Sequence, residues 1–316
     1  MEVSKTLVNS ARLVSQRHVN PLGTLYGGYL LEWLIDSGTI AAINFAKGNV
    51  VLGFLDKTHF ISPVKAGDVL LFKSWVVGTR RSSLSVLVET YVLRNGHVSL
   101  ATVGKMIFVK VDSEGRPVPI DREVLCDAEW EGLCRHFQQW RLEVDRVIED
   151  GEIVSHSRSV SSFVAMPEDS LDGVLMYAGR LMFKLDELAF IEAFRFKPAI
   201  YVTAGVYKIV FKKPIHVGDV VDIKTAISYV GNTSLDVEFY VEAGGFRERR
   251  AVAHGFFTFV NMTEGKPTPI GVAIPVDEAA KKRREESVQE AKLLKNLKPP
   301  ADFDKPWTLQ LYRSPS

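Results

Sequence analysis

Cysteine is scarce in this chain, and so are long apolar runs and excess charge of either sign. Two cysteines, Cys126 and Cys134, stand among 316 residues. Eight residues apart on an expected helix, they would lie roughly 12 Å from each other at about 1.5 Å per residue, beyond disulfide reach. That absence fits a reducing, cytoplasmic setting. No run of about 18 apolar residues occurs, so no membrane-spanning helix is expected. The first 20 residues lack the apolar core and cleavage site of a secretory signal. Lysine and arginine total 39 and aspartate and glutamate 38, a net charge of +1. Nothing in that balance points to nucleic acid or an anionic membrane as partner. A Gly-x-Ser-x-Gly elbow, a phosphate-binding P-loop and a metal-ligand cluster are all missing, so no metal is expected. Cys134 and His136 do not form a nucleophile pair, because residues two apart on a helix do not face each other.

What the chain does have, it has twice. Tyr26-Gly27-Gly28 opens an apolar helix-like stretch, and Tyr177-Ala178-Gly179 opens another, at an offset of 179 − 28 = 151. Pro63-Val64-Lys65-Ala66-Gly67-Asp68 faces Pro214-Ile215-His216-Val217-Gly218-Asp219 at the same 151. Ser83-Leu84 matches Ser234-Leu235, and Gly104 matches Gly255, in that register too. Glu114-Gly115-Arg116-Pro117 parallels Glu264-Gly265-Lys266-Pro267 at 150. The chain therefore reads as two copies of one domain, over residues 1–120 and 151–275. Each copy runs from a short extended segment through a loop and one long apolar helix into strand-like stretches. The strands are expected at Asp68–Gly78, Ser82–Leu93 and Leu100–Val111, mirrored by Asp219–Val230, Thr233–Glu242 and Ala251–Asn261. That order is an α+β pattern. A helix apolar nearly all round must be enclosed, here by a sheet. Between the copies, residues 121–150 read as a charged linker helix with Trp130, Phe137 and Trp140 to bury. Residues 276–316 read as a charged, solvated helix over Asp277–Leu297, closed by Pro299-Pro300, with a surface arm through Trp307.

The copies differ where chemistry could reside. The inward stripe of the first helix, Leu30, Leu31, Leu34, Ile35 and Gly38, corresponds to Leu181, Met182, Leu185, Asp186 and Ala189. Asp186 thus replaces Ile35 on a buried stripe. A carboxylate there is costly unless it is used, and desolvation raises its pKa toward that of a general base. In the preceding loop, six residues before each tyrosine, the first copy has Asn20 and the second Leu171. Asn20-Pro21 could be a turn starter alone. If the copies pair two-fold, one composite cleft holds Asn20 and Asp186, and the other holds Leu171 and Ile35.

His18-Val19-Asn20-Pro21-Leu22-Gly23-Thr24-Leu25-Tyr26-Gly27-Gly28 resembles the loop-and-helix motif of hotdog-fold acyl-CoA thioesterases. The segments from Thr58 to Asp68 and from Val111 to Pro117 are similar to the same family. The two-repeat plan resembles the cytosolic long-chain acyl-CoA hydrolases. The resemblance covers nearly all of the first repeat and, more weakly, the second. It departs at the family histidine, which is Tyr26 or Tyr177 here, and at Ala178. It implies two tandem hotdog domains, each a long central helix wrapped by an antiparallel sheet, and an acyl-CoA substrate with no cofactor beyond the coenzyme A of that substrate. It also implies a homo-oligomer, a trimer of double hotdogs. In the family a loop Asn acts with an acidic residue seven positions after the last glycine of the helix motif. Here those fall on Asn20 and, at 179 + 7 = 186, on Asp186.

Amides at Ala178 and Gly179 could polarise a thioester carbonyl. Asp186, two turns along that helix, would deprotonate water or attack directly, while Asn20 orients water or thioester. Gly27, Gly28 and the turn Arg80-Arg81-Ser82-Ser83 are candidates for binding coenzyme A, as is the matching turn Gly231-Asn232-Thr233-Ser234. Two rivals remain: a hotdog dehydratase using His18 and Glu32, and a non-catalytic acyl-CoA-binding module. The comparison of copies makes one cleft inert. Ile35→Val and Leu171→Met are therefore expected to leave turnover nearly unchanged, with packing costs of about 1 kcal/mol, as steady-state kinetics and thermal melts would show.

Overall fold

The computed structural model describes residues 1–147, 158–245, 248–275, 277–300 and 302–312. The expected end of the linker helix at Asp150 and the expected start of the second domain at residue 151 lie outside the described residues. The first repeat contributes β1 (Val8–Leu13), α1 (Gly27–Ala46), β2 (Val50–Leu55), β3 (Thr58–His59), β4 (Val69–Thr79), β5 (Ser83–Arg94) and β6 (His97–Lys110). After α2 (Glu131–Val147), the second contributes β7 (Arg158–Val164), α3 (Ala178–Phe196), β8 (Ile200–Phe211), β9 (Val220–Val230), β10 (Ser234–Gly244), β11 (Arg249–Thr263) and the short β12 (Lys266–Pro267). α4 (Glu278–Lys295) and a 3-10 turn at Trp307–Leu311 follow.

The strands form one sheet in the order β1-β4-β5-β6-β2-β8-β11-β10-β9-β7, with β3 on β8 and β12 on β11. The two copies meet edge to edge where β2 pairs antiparallel with β8, Phe54 opposite Val210 and Leu55 opposite Ile209. Matching turns set matching geometry. Gly67 (φ +91°) and Gly218 (φ +93°) occupy the left-handed region that glycine tolerates. Beside them, Asp68 and Asp219 accept the backbone N–H of Lys65 and His216. α1 and α3 share one apolar core with the inner faces of both half-sheets, among them Leu34 and Ile35 of α1, Leu185 of α3, Val86 of β5 and Phe239 of β10. This is the α+β double-hotdog architecture. No described helix is long and apolar enough to cross a membrane.

The outer faces of the half-sheets differ in kind. In the first repeat Trp75, Val77, Leu87 and Tyr91 point outward. They are covered by Trp130, Leu133, Phe137, Trp140 and Val144 of the segment containing α2. In the second, outward positions of β10 are Asp236 and Glu238, both nearly buried. α4 covers part of that face with charge: Arg284 lies 3.6 Å from Asp236, 2.8 Å from Ser234 and 3.0 Å from Thr258. Glu290 reaches Lys57 at 3.4 Å and Lys105 at 3.6 Å. The expectation of a merely solvated charged helix is therefore corrected. One face of α4 holds ion pairs over a polar sheet surface.

Two further expectations change. The linker helix begins at Glu131 rather than near Asp121, after a 3-10 turn at Ala128–Trp130. Cys126 lies ahead of the helix, its Cα is 6.5 Å from that of Cys134, and the two are joined as a disulfide. The helical spacing that kept them apart does not apply, and the cysteines lend no support to a reducing compartment. The C-terminal arm is not superficial: Trp307 and Leu309 are buried in the outer core of the first repeat. There the carboxylate of Glu89, fully buried, accepts the backbone N–H groups of Trp307 (2.7 Å) and Thr308 (2.9 Å). Desolvation raises the Glu89 pKa, while hydrogen bonds from Thr308 and Tyr91 oppose the rise. Trp307→Ala is expected to cost about 3–5 kcal/mol, seen as a lower denaturation midpoint with an unaltered fold by circular dichroism.

Candidate active site

The two long helices run antiparallel across the core. Gly28 of α1 lies against Phe183 of α3, where an added Cβ would come 3.0 Å from the ring. Glu32 meets Arg180 at 3.4 Å, and Asp36 accepts the hydroxyl of Tyr177 at 2.7 Å. Rising numbers on α1 meet falling numbers on α3. Each helix N-terminus therefore reaches the middle of the other helix, and the fold has two pseudo-equivalent clefts.

At the first cleft stands Asp186, with no solvent exposure. Its Oδ1 accepts the hydroxyl of Thr203, on β8, at 2.7 Å. The backbone N–H of Gly28, at the uncapped start of α1, also acts on the carboxyl. Oδ2 is buried with no hydrogen-bond partner among the described residues. Burial is the largest influence and pushes the carboxyl up to about 7. Thr203 and the Gly28 amide hold it back, and Glu187 adds to the rise. Tyr26, beside Gly27, is half-buried, and desolvation, then the Asp186 charge, raises its hydroxyl pKa. The site thus combines a carboxylate poised near neutrality with one committed and one uncommitted oxygen, facing unpaired helix amides.

Gly27 is required by this arrangement. A Cβ there would collide with Thr203 Oγ1 and lie 3.0 Å from Asp186 Oδ1. In the twin cleft the counterparts of Gly27, Asp186 and Thr203 are Ala178, Ile35 and Leu52 (203 − 151 = 52). The polar pair and the glycine that makes room for it have changed together. Thr203 was not among the sequence-derived candidates, although the comparison that exposed Asp186 would have found it. The amides facing Asp186 are also reassigned. They belong to Gly27 and Gly28 of the partner repeat, whereas Ala178 and Gly179 open α3 at the other cleft.

The remaining candidates fall elsewhere. Asn20 closes its own loop: its Oδ1 accepts the amides of Leu22 (3.0 Å) and Thr24 (3.2 Å), and its Nδ2 donates to Thr24 Oγ1 (2.9 Å). Arg80 pairs with Asp145 at 2.6 Å, and Ser83 Oγ accepts from Arg141 at 2.8 Å, so this turn fastens α2. Gly231-Asn232-Thr233-Ser234 is likewise under a helix, with Ser234 bonded to Arg284 of α4. His18 is a turn cap. Its Nδ1 accepts the N–H of Ser15 at 3.1 Å, as its counterpart Asp169 (18 + 151) accepts that of Met166 at 3.2 Å. Its ring packs edge-on against Tyr29 and Trp33. Glu32 pairs with Arg180, so the dehydratase reading has no assembled acid–base pair.

The thioesterase superfamily pattern matches twice, over residues 22–96 and 175–247. An uncharacterized acyl-CoA thioester hydrolase of Bacillus subtilis is 30% identical over 132 residues, covering 39% of this chain and 77% of that protein. The chain belongs to the thioesterase superfamily. This thioesterase is also 26% identical to the cytosolic acyl coenzyme A thioester hydrolase of Mus musculus over 310 residues, 88% of this chain and 81% of that one. The protein of that name from Homo sapiens is 26% identical over 308 residues, 88% and 80% of the two chains. Among solved structures, an acyl-ACP thioesterase from Bacteroides thetaiotaomicron aligns with a TM-score of 0.55 at 13% identity, over 82% of this chain and all of that one, and shares the fold. The enzyme is a thioester hydrolase of the hotdog fold.

The displaced pKa ties the site to stability. Because burial raises Asp186 from 3.8 to about 7, its contribution is fully present below pH 3.8 and is lost as pH rises to about 7. Asp186→Asn is therefore expected to melt higher than the parent at pH 8. The gap between pH 4 and pH 8 would approach roughly 4 kcal/mol at 1.36 kcal/mol per unit, measured by denaturant titration at both pH values.

Proposed function

We propose that this thioesterase hydrolyses acyl-CoA at a single composite cleft, with Asp186 as general base and the start of α1 at Gly27 as the oxyanion site. The observation that carries this reading is the buried Asp186 carboxyl, one oxygen held by Thr203 and the other unpartnered, beside the start of the opposite helix. The thioester carbonyl lies at the N-terminus of α1, polarised by amides and the positive end of the helix dipole. Asp186 Oδ2 takes a proton from a water whose oxygen attacks that carbonyl. The tetrahedral intermediate collapses with cleavage of the carbon–sulfur bond. The proton on Asp186 passes to the departing thiolate, leaving carboxylic acid and coenzyme A. Asn20 acts indirectly, by setting the loop that leads into Tyr26 and Gly27. Acyl-CoA as substrate and a cytoplasmic location follow the names of the relatives. Assembly as a trimer of double hotdogs rests on family resemblance, and a light-scattering mass near 35 kDa, that of one 35.3 kDa chain, would refute it.

Thiol release from CoA esters of several chain lengths tests the reading. Asp186→Asn is expected to lower kcat by ~10²-fold or more, and Asn20→Ala by less. Gly27→Ala is expected to disable the cleft, while Ala178→Gly leaves kcat within about two-fold. The kcat/KM of the parent is expected to rise through a pKa near 7 as the base ionises. Full activity in Asp186→Asn sinks the assignment.

A further inference from the structure

The cleft at the start of α3 has no acid to match Asp186, yet it is not filled in. A cavity of about 410 Å³ opens there, within the range of small-molecule sites. Its walls are apolar and come from both repeats: Val50 and Leu52 of β2, Leu175 and Leu181 about the start of α3, Phe211 of β8 and Val252 of β11. The rim is cationic. Arg116, Lys212 and Lys213 line it, and Lys213 is exposed. In the 151-residue register, the two lysines stand where the first repeat has Ile61 and Ser62 (61 + 151 = 212, 62 + 151 = 213). The acids nearby are already engaged. Asp172 Oδ1 accepts the amides of Val174 (2.9 Å) and Leu175 (3.0 Å). Asp36 is bonded to Tyr177 and lies 3.4 Å from Arg12, and Arg116 is itself paired with Asp112 and Glu114.

Two changes therefore run in opposite directions between the clefts. The carboxylate and hydroxyl of one are isoleucine and leucine in the other, and Leu52 is part of its apolar wall. Lys212 and Lys213 replace Ile61 and Ser62 of the first repeat, which adds positive charge at the mouth. We propose that the α3 cleft binds an acyl amphiphile, an apolar chain with an anionic head, without hydrolysing it. The chain lies along Leu52, Leu181 and Val252, and the head meets the Lys213 side of the rim. Burial of the chain supplies the larger part of the affinity, and Lys213 selects the anionic head. Fatty acyl-CoA and free fatty acid share this chemistry. The inference rests on Asp186 marking the only hydrolytic cleft.

The test is calorimetric titration of the full chain with S-hexadecyl-CoA, a thioether that cannot be hydrolysed, and separately with palmitate and with coenzyme A, all below micelle-forming concentrations. Two S-hexadecyl-CoA sites per chain are expected. Lys213→Glu is expected to weaken one of them by about ten-fold and to leave kcat/KM unchanged. Leu171→Trp, at an exposed position on the cavity lip, is expected to weaken the same site. Palmitate competing there identifies the fatty acid as sufficient; competition by S-hexadecyl-CoA alone identifies the acyl-CoA. One site per chain, two sites indifferent to both variants, or competition by coenzyme A without any acyl chain overturns the inference. If Asp186→Asn retains kcat while Leu171→Trp abolishes it, the hydrolytic cleft has been misassigned, and that is the failure of the earlier reading rather than of this one.

Discussion

The antiparallel seating of α1 against α3 is the constraint on which the rest depends. It is imposed from outside the helices, by the β2–β8 pairing that makes two half-sheets continuous. Once the half-sheets share an edge, each helix must lie on its own half and meet its twin across the joint. The N-terminus of one then faces the centre of the other. A helix start offers unpaired amides, and a helix centre can carry one buried side chain. No isolated repeat holds the whole site. Gly27 and Gly28 come from the first copy, and Asp186 and Thr203 from the second.

The energetics of that meeting are local and opposed. Burying a carboxylate is unfavourable. The hydroxyl of Thr203 and the Gly28 amide recover part of that cost, and the incomplete recovery is what leaves Asp186 titrating near neutrality. The same balance is struck differently at Glu89, where hydroxyls and two amides surround a buried carboxylate and its purpose is to anchor a chain end. Buried acid alone does not mark a catalytic group. The difference lies in whether every oxygen is spoken for. Glu89 has partners on both, and Asp186 has one oxygen left.

Asp186 was legible in the sequence because its twin is Ile35, so an internal control was available at fixed offset. The repeat order and the α+β plan were legible for the same reason, and the strands fall within a few residues of their expected spans. Thr203 was equally exposed to comparison with Leu52, but β2 and β8 carry no strong turn signals and were not drawn as strands. The amide partners were misplaced onto α3 because sequence reasoning favours neighbours on one helix, and only tertiary pairing brings Gly27 from 159 residues away (186 − 27). Asn20 was found as a loop residue, but its side-chain bonds could not be read without backbone geometry. The run of charge in α4 concealed its role because the polarity of the surface beneath it, Asp236 and Glu238 on β10, belongs to a different element. The disulfide was missed because the start of α2 was set too early: the chain bends at Ala128–Trp130, and a helical ruler fails across that bend.

The arm at Trp307 has a consequence for the order in which the molecule is made. The first repeat emerges from synthesis with its inner helix and six strands complete, yet the carboxylate of Glu89 and the ring of Tyr91 wait for residues near the end of the chain. The second repeat must be synthesised, and α4 laid down, before those last residues can return to the face of the first. An early segment therefore reaches its native surroundings only after residue 308 has been made. Until then the part of the outer face around Tyr91 stays open. A chain lacking Trp307 and Thr308 would exhibit that face permanently, so the molecule couples the return of this arm to concealment of a surface prone to association.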